Sequence, residues 1–175
     1  MAKLVSVAAR LRAAGHKLAV AESSAGGTIS SGLLGVSGAS AWFAGGVVCY
    51  SKESKQSLLG LDSATSRPTA SEGHALELAA AVRDRLGADW GIGETGVAGP
   101  AANSRGIAPG VCALAVVGPD GAKHATTLWP DETLSAADAY GQPPKLTRRE
   151  AMNGFSEAAF ELLSQAVPEH GVGNE

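Results

Sequence analysis

The sequence predicts a layered α/β/α domain built on a mixed sheet. Short apolar runs at 17–21, 45–50 and 90–94 alternate with segments of helical period, the pattern of a sheet with helices on its faces. Two further runs, 111–117 and 123–129, flank Gly118-Pro-Asp-Gly121, a hairpin signal that adds an antiparallel pair to the sheet. A length of 175 residues suits one domain, read here as 1–167, with 168–175 a frayed, disordered tail.

In chain order, Leu4, Val7, Ala8 and Leu11 recur at helical spacing before Gly15, so 3–14 is a helix closed by a residue that tolerates the left-handed conformation. Lys17–Ala21 follows as a buried strand and runs directly into Glu22-Ser-Ser-Ala-Gly-Gly27. Thr28–Leu34 is a short helix. Gly45–Tyr50 is a second strand, and Ser51 caps a helix that carries Lys52 and Lys55 and ends at Gly60. Ser71 opens the most regular helix, with Leu76, Ala79, Ala80, Val82 and Leu86 in period until Gly87. Trp90–Glu94 is a third strand ending in Thr95-Gly-Val-Ala-Gly-Pro100, and 101–109 is a loop. Pro130–Lys145 reads as a polar surface excursion and Thr147–Val167 as the final helix.

Composition narrows the function. Fourteen Lys and Arg against 17 Asp and Glu give a net charge of −3, which argues against a nucleic-acid binder that needs a broad basic face. Hydrophobic residues make up 45% of the chain, yet no run of about 18 apolar residues appears, so a membrane partner is not expected. Arg10 and Arg12 interrupt any apolar export signal near the start. Two cysteines, Cys49 and Cys112, form no metal-binding spacing and suit a reducing compartment. The expectation is a cytoplasmic domain that acts on a small molecule without metal or organic cofactor.

Ser23 is the first candidate for chemistry. A serine at a strand-to-helix turn exposes its hydroxyl while N–H groups at the helix start, near Gly26 and Gly27, face the same space as an oxyanion or phosphate site. The plainer alternative is that Ser23 or Ser24 only caps the helix. A serine nucleophile needs a base, and His16, His74, His124 and His170 fall in no recognisable triad motif. A lysine freed of its proton by burial can take that place. Lys52 and Lys55 are the candidates, with Tyr50 as relay or orienting group, although the same helix also reads as a solvated face. Thr95 and Gly96 stand where small residues let a ligand approach the backbone. Arg105, Arg148 and Arg149 are the cations available to a phosphate.

The blocks Ala21-Glu-Ser-Ser-Ala-Gly-Gly27, Gly38-Ala-Ser-Ala-Trp-Phe43, Gly46-Val-Val-Cys-Tyr-Ser-Lys-Glu-Ser-Lys55 and Thr95-Gly-Val-Ala-Gly-Pro100 resemble, in order and spacing, those of the CinA C-terminal family. The resemblance covers about Leu4 to Leu163. It implies a Ser/Lys hydrolase that converts nicotinamide mononucleotide to nicotinic acid mononucleotide and ammonia, assembled as a homo-oligomer. On this resemblance the family's serine falls on Ser23, its tyrosine on Tyr50, its lysine on Lys55, its threonine on Thr95 and an arginine on Arg148. Fuller family members carry an additional N-terminal domain, similar to molybdopterin-binding proteins, for which this chain is too short.

Departures from the family pattern fall mainly on the substrate side. The family's Cys-Thr after the nucleophile is Ser24-Ala25, a loop lysine is Ile107, and a second arginine on the last helix is Met152. Each missing cation is worth about 1.5–3 kcal/mol toward a bound phosphate. Two alternatives therefore stand beside the nucleotide amidase: a hydrolase for another small amide, and a nucleotide-binding module without turnover.

Overall fold

The structure, a computed structural model, describes residues 2–130 and 146–169. Helix α1 (Ala2–Ala14) leads through Gly15, at φ +68°, into strand β1 (Leu18–Glu22). Helix α2 (Thr28–Leu34) and a 3-10 turn at Ala39–Ala41 then bring the chain to β2 (Phe43–Val48). Helices α3 (Lys52–Leu59) and α4 (Glu72–Leu86) precede β3 (Trp90–Gly96). Strands β4 (Cys112–Val117) and β5 (Lys123–Leu128) form the hairpin, and α5 (Arg148–Ala166) follows. The excursion expected beyond Pro130 and the tail from His170 lie outside the described residues.

The sheet is mixed, with strand order β2-β1-β3-β4-β5. β1 lies parallel to both β2 and β3, while β3–β4 and β4–β5 are antiparallel. Two boundaries differ from the sequence expectation. β2 spans 43–48 instead of 45–50, because Phe43 pairs with Leu18 and the ladder ends at Glu22–Val48, leaving Cys49 and Tyr50 in the connection to α3. The hairpin connection occupies 118–122, around a 3-10 turn in which Asp120 adopts φ +57°.

The two faces of the sheet carry side chains of different size, as strand alternation dictates. Leu18, Val20, Trp90, Ile92, Leu114 and Val116 face one side and pack with α1, α2 and α5 in a core that includes Trp42, Phe155 and Leu163. Each such large apolar side chain contributes roughly 1.5–3 kcal/mol on burial. The other side offers Ala19, Ala21, Gly91, Gly93, Ala113 and Ala115, and α4 lies directly on this flat surface. At Gly93 the approach is so close that a Cβ would sit 2.0 Å from the Ala75 carbonyl oxygen and 2.6 Å from the Ala79 nitrogen.

The helix ends follow from local chemistry. Ser71 accepts the His74 N–H at the start of α4, and Gly87, at φ +59°, closes it. Reciprocal caps formed by Ser51 with Ser54 and by Thr147 with Glu150 start α3 and α5.

Gly93→Ala is expected to destabilise the fold by about 3 kcal/mol, since the clash is with helix backbone and no side chain can rotate away. Gly154→Ala, in the middle of α5 with nothing within 4 Å of the added methyl, is expected to stabilise by about 1 kcal/mol. Urea unfolding followed by tryptophan fluorescence checks both, and an unshifted midpoint for Gly93→Ala contradicts the contact with α4.

Candidate active site

Because β1, β2 and β3 are parallel, their C-terminal ends share one edge of the sheet. The chain leaves β1 toward β2 on one side and later returns as β3 on the other, so a crevice opens between the ends of β1 and β3. Ser23 follows β1, Thr95 and Gly96 end β3, and α3 brings Lys55 from beyond β2. A cleft of about 280 Å³ there is lined by Ser23, Tyr50, Lys55, Thr95, Gly96 and Arg148, among others.

The Ser23 turn is held from beneath by two buried carboxylates. Glu94, on β3, points to the same face as Trp90 and Ile92 and is fully buried. Its Oε2 accepts the N–H groups of Ser23 and Ala25, both at 2.8 Å, and its Oε1 accepts the Ser24 hydroxyl and, at 3.5 Å, the Cys112 thiol. Glu22 closes the start of α2: it accepts the N–H groups of Gly27, Ile29 and Ser30 at 2.8–3.0 Å and the Ser30 hydroxyl at 2.6 Å. Burial raises the Glu94 carboxyl above its ordinary 4.5, and the hydrogen bonds from Ser24, Ala25 and Ser23 pull it partly back.

These contacts correct one expectation. The Gly27 N–H is committed to Glu22 and is not available to an oxyanion, and neither Gly26 nor Gly27 lines the cleft. Gly26 instead lies under Met152, whose Cε would be 2.9 Å from an added Cβ. In this turn the N–H groups of Ser24 and Gly26 are bound by neither carboxylate.

Lys52 and Lys55 separate clearly. Lys52 is exposed, whereas Lys55 is 7% exposed and its Nζ donates to the Tyr50 carbonyl oxygen at 3.3 Å. Among the described residues Lys55 forms no ion pair. Tyr50 thus meets Lys55 through its backbone, while its phenol, on a side chain 63% exposed, accepts Arg148 Nη2 at 3.4 Å. Arg148 also donates through Nη1 to the Gly99 carbonyl oxygen at 2.6 Å, tying α5 to the loop after β3. The Thr95 hydroxyl accepts the Ala70 N–H at 3.1 Å, and a side chain at position 96 would meet Ser24 Oγ at 2.9 Å.

Arg105 does not line this cleft. It lines a neighbouring cavity that shares Lys55 and Thr69 with it. Burial pushes the Cys49 thiol up to about 11 against the opposing pull of Lys55, and burial with the nearby Glu94 raises Cys112 well above the usual thiol range. Neither is a thiolate nucleophile at neutral pH. Among the described residues no three His, Cys, Asp or Glu side chains are grouped to hold a metal, and no helix is long and apolar enough to cross a membrane. The sequence reading missed the roles of Glu22 and Glu94; the available signal was the i, i+2, i+4 spacing that puts Glu94 on the core face with Trp90 and Ile92.

A family model for the CinA C-terminal domain matches residues 2–138. A CinA-like protein of Synechococcus sp. (strain RCC307) is 42% identical over 117 residues, 66% of this chain and 28% of that protein. One from Anaeromyxobacter dehalogenans (strain 2CP-C) is 40% identical over 160 residues, 90% of this chain and 35% of that one. The chain thus spans about a third of the length of these relatives. Among solved structures, a CinA superfamily protein from Enterobacter cloacae superposes with a TM-score of 0.80 at 26% identity, covering 95% of this chain and 90% of the other. One from Klebsiella pneumoniae gives 0.79 at 22% identity, covering 95% and 96%, and shows the shared fold.

The raised carboxyl of Glu94 has a pH consequence. Relative to the unfolded chain, whose carboxyl titrates near 4.5, the folded protein retains this proton to higher pH. The contribution of Glu94 to stability is therefore full below pH 4.5 and is lost as pH rises through the folded value. Glu94→Gln keeps the shape and cannot ionise, so its stability relative to the wild type is expected to rise with pH. Glu94→Ala leaves two buried N–H groups and a hydroxyl without partners and is expected to destabilise by about 3 kcal/mol. Urea unfolding between about pH 4 and about pH 9 checks both; a pH-independent difference between wild type and Glu94→Gln would falsify the first.

Proposed function

The chain belongs to the CinA C-terminal domain family, and on that premise we propose that it is a Ser/Lys amidohydrolase that cleaves the carboxamide of nicotinamide mononucleotide. The observation that carries this reading is that Ser23 and the buried Lys55, which forms no ion pair among the described residues, line one cleft at the carboxyl edge of the parallel strands.

Ser23 Oγ attacks the carboxamide carbon while its proton passes to the Lys55 amine, which serves as general base. The C–O bond forms, the carbonyl becomes an oxyanion, and the N–H of Ser24, next to the nucleophile and unclaimed by Glu94, supplies a donor for it. Collapse of the intermediate breaks the C–N bond, and the leaving nitrogen takes the proton from Lys55 and departs as ammonia. Water then attacks the acyl-enzyme, giving one proton to Lys55, which returns it to Ser23 as the acid is released. Tyr50 positions Lys55 through its carbonyl oxygen, and Arg148 fixes the Tyr50 ring and the Gly99 carbonyl at the rim. Buried thiols at Cys49 and Cys112 suit a reducing, cytoplasmic setting, and assembly with further copies of this chain is part of the same proposal.

A second reading, a different carboxamide on the same machinery, is favoured by Ile107 and Met152, which stand where the resemblance implies cations and do not line the cleft.

Ser23→Ala is expected to lower ammonia release from nicotinamide mononucleotide at least about 10³-fold with the fold intact, and Lys55→Met by about 10²–10⁴-fold. Coupled ammonia detection beside a thermal melt checks both. Full turnover by Ser23→Ala removes the mechanism; no release from folded wild type, with release from another carboxamide in a panel, moves the assignment to the second reading.

A further inference from the structure

Three side chains that the mechanism leaves unused converge beneath the cleft: the Ser24 hydroxyl, the fully buried Glu94 carboxyl and the Cys112 thiol. Ser24 lines the cleft and is 4% exposed. Its hydroxyl is a departure from the family pattern, which places a cysteine where Ser24 stands, and a thiol is only a weak hydrogen-bonding group. Gly96, also on the cleft wall and two residues beyond Glu94, leaves the other flank of the hydroxyl free of a side chain; a Cβ there would lie 2.9 Å from Ser24 Oγ.

The two oxygens of Glu94 are not equivalent. Oε2 accepts the Ser23 and Ala25 N–H groups, both at 2.8 Å, and a backbone N–H only donates, so a proton on this carboxyl belongs on Oε1. Oε1 meets Ser24 Oγ and, at 3.5 Å, the Cys112 thiol. A hydroxyl carries one proton. When Glu94 is ionised, Ser24 donates that proton inward and offers only lone pairs to the cleft. When Oε1 is protonated, it donates to Ser24 Oγ, the Cys112 thiol turns to the Ala113 carbonyl oxygen at 3.6 Å, and the Ser24 proton is left for the cleft. Burial holds the Glu94 proton to higher pH than an exposed carboxyl would. The other titratable or charged groups around this pair are Glu22 on β1, whose oxygens are taken by α2, the Cys49 thiol after β2, Lys55 on α3 and Arg148 on α5.

We propose that the Ser24 hydroxyl reads the nitrogen end of a bound carboxamide, and that Glu94 is a positioning residue that sets, through Ser24, which partner the hydroxyl takes. Above an ionised Glu94, Ser24 Oγ accepts an N–H of the carboxamide and has no proton for a carboxylate. Above a protonated Glu94, it donates to a carboxylate oxygen instead. The pair thus separates the amide substrate from the acid product, and the separation sharpens as pH rises through the titration of Glu94. That the ligand is a carboxamide rests on the hydrolase reading; the coupling of Ser24 to Glu94 does not.

The test measures binding without turnover. The full chain carrying Ser23→Ala is titrated by calorimetry with nicotinamide mononucleotide and, separately, with nicotinic acid mononucleotide, between about pH 5.5 and about pH 9. The phosphate is common to both compounds, so its own titration cancels in the ratio of the two Kd values. That ratio is expected to move toward the amide by about tenfold as pH rises. Adding Glu94→Gln keeps the shape: the Gln carbonyl takes the two N–H groups and its amide nitrogen donates to Ser24, so the hydroxyl proton stays outward and the ratio is expected to stay on the acid side at every pH. Adding Ser24→Ala is expected to remove both the pH dependence and the acid preference, and it carries the test where a thermal melt shows Glu94→Gln unfolded. A ratio indifferent to pH, or one that moves as much in Glu94→Gln or Ser24→Ala, as a neighbour such as Lys55 would make it, overturns the proposal; ammonia release by the wild type then leaves the hydrolase reading standing. The expected pattern with no ammonia from the wild type leaves the proposal standing and removes the hydrolase reading. Binding of neither compound removes both.

Discussion

Two backbone N–H groups, a serine hydroxyl and a thiol converge on the carboxyl group of Glu94, which has no contact with solvent. A buried carboxyl is costly unless its oxygens are fully occupied, and here they are. The consequence is geometric. Ser23 leaves β1 in a turn that has no regular ladder or helix to define it, and Glu94 fixes its flanking N–H groups from the adjacent strand. Glu22 does the same for the first turn of α2, taking three N–H groups that the helix cannot satisfy itself. With both carboxylates beneath it, the turn places Ser23 on the wall of the cleft that Lys55 also lines, while the N–H groups of Ser23, Ala25 and Gly27 are held inward. The N–H groups of Ser24 and Gly26 are the two in this turn that neither carboxylate takes.

The same economy explains the sheet. Six glycines and alanines on one face let α4 descend to backbone contact, which sets the distance between its first turn and the end of β3. His74 and Ser71 belong to that first turn, and Ala70 just before it donates to Thr95. Packing on the far face of the sheet thus places the walls of both cavities.

Much of this arrangement was legible in the sequence. Capping residues and closing glycines marked α3 and α4 to within a residue, because those signals act locally. β2 was misplaced by two residues because its limits are set by pairing with β1, a contact distant in sequence. The choice between Lys52 and Lys55 was also within reach: Lys55 and Leu59 are four apart and share the buried face of α3, a spacing that the charge pattern of the helix concealed. Gly27 was misassigned because a helix start looks like an anion site until the carboxylate that fills it is known, and Glu22 is only five residues away. Arg105 was read as a substrate cation of the same cleft; that it lies next door follows from the path of the 101–109 loop, which carries no periodicity to fix it.

Strand ends and loops therefore supply different walls of the cleft and of its neighbour. Ser23, Thr95 and Gly96 sit at strand ends anchored by Glu94 and by close backbone contacts, where a displacement disturbs the core. The 61–70 segment and the 101–109 loop meet the site from outside and line the neighbouring cavity. Arg148 is the tie between the two: it holds the loop at Gly99 and the Tyr50 ring at once. Ile107 and Met152 lie apart from these ties. Both contribute to packing rather than charge, at the wall of an apolar cavity and over Gly26, and neither change reaches the hydrogen bonds that hold Ser23. The turn that carries Ser23 is thus fixed from beneath by Glu22 and Glu94, independently of the residues that line the outer walls.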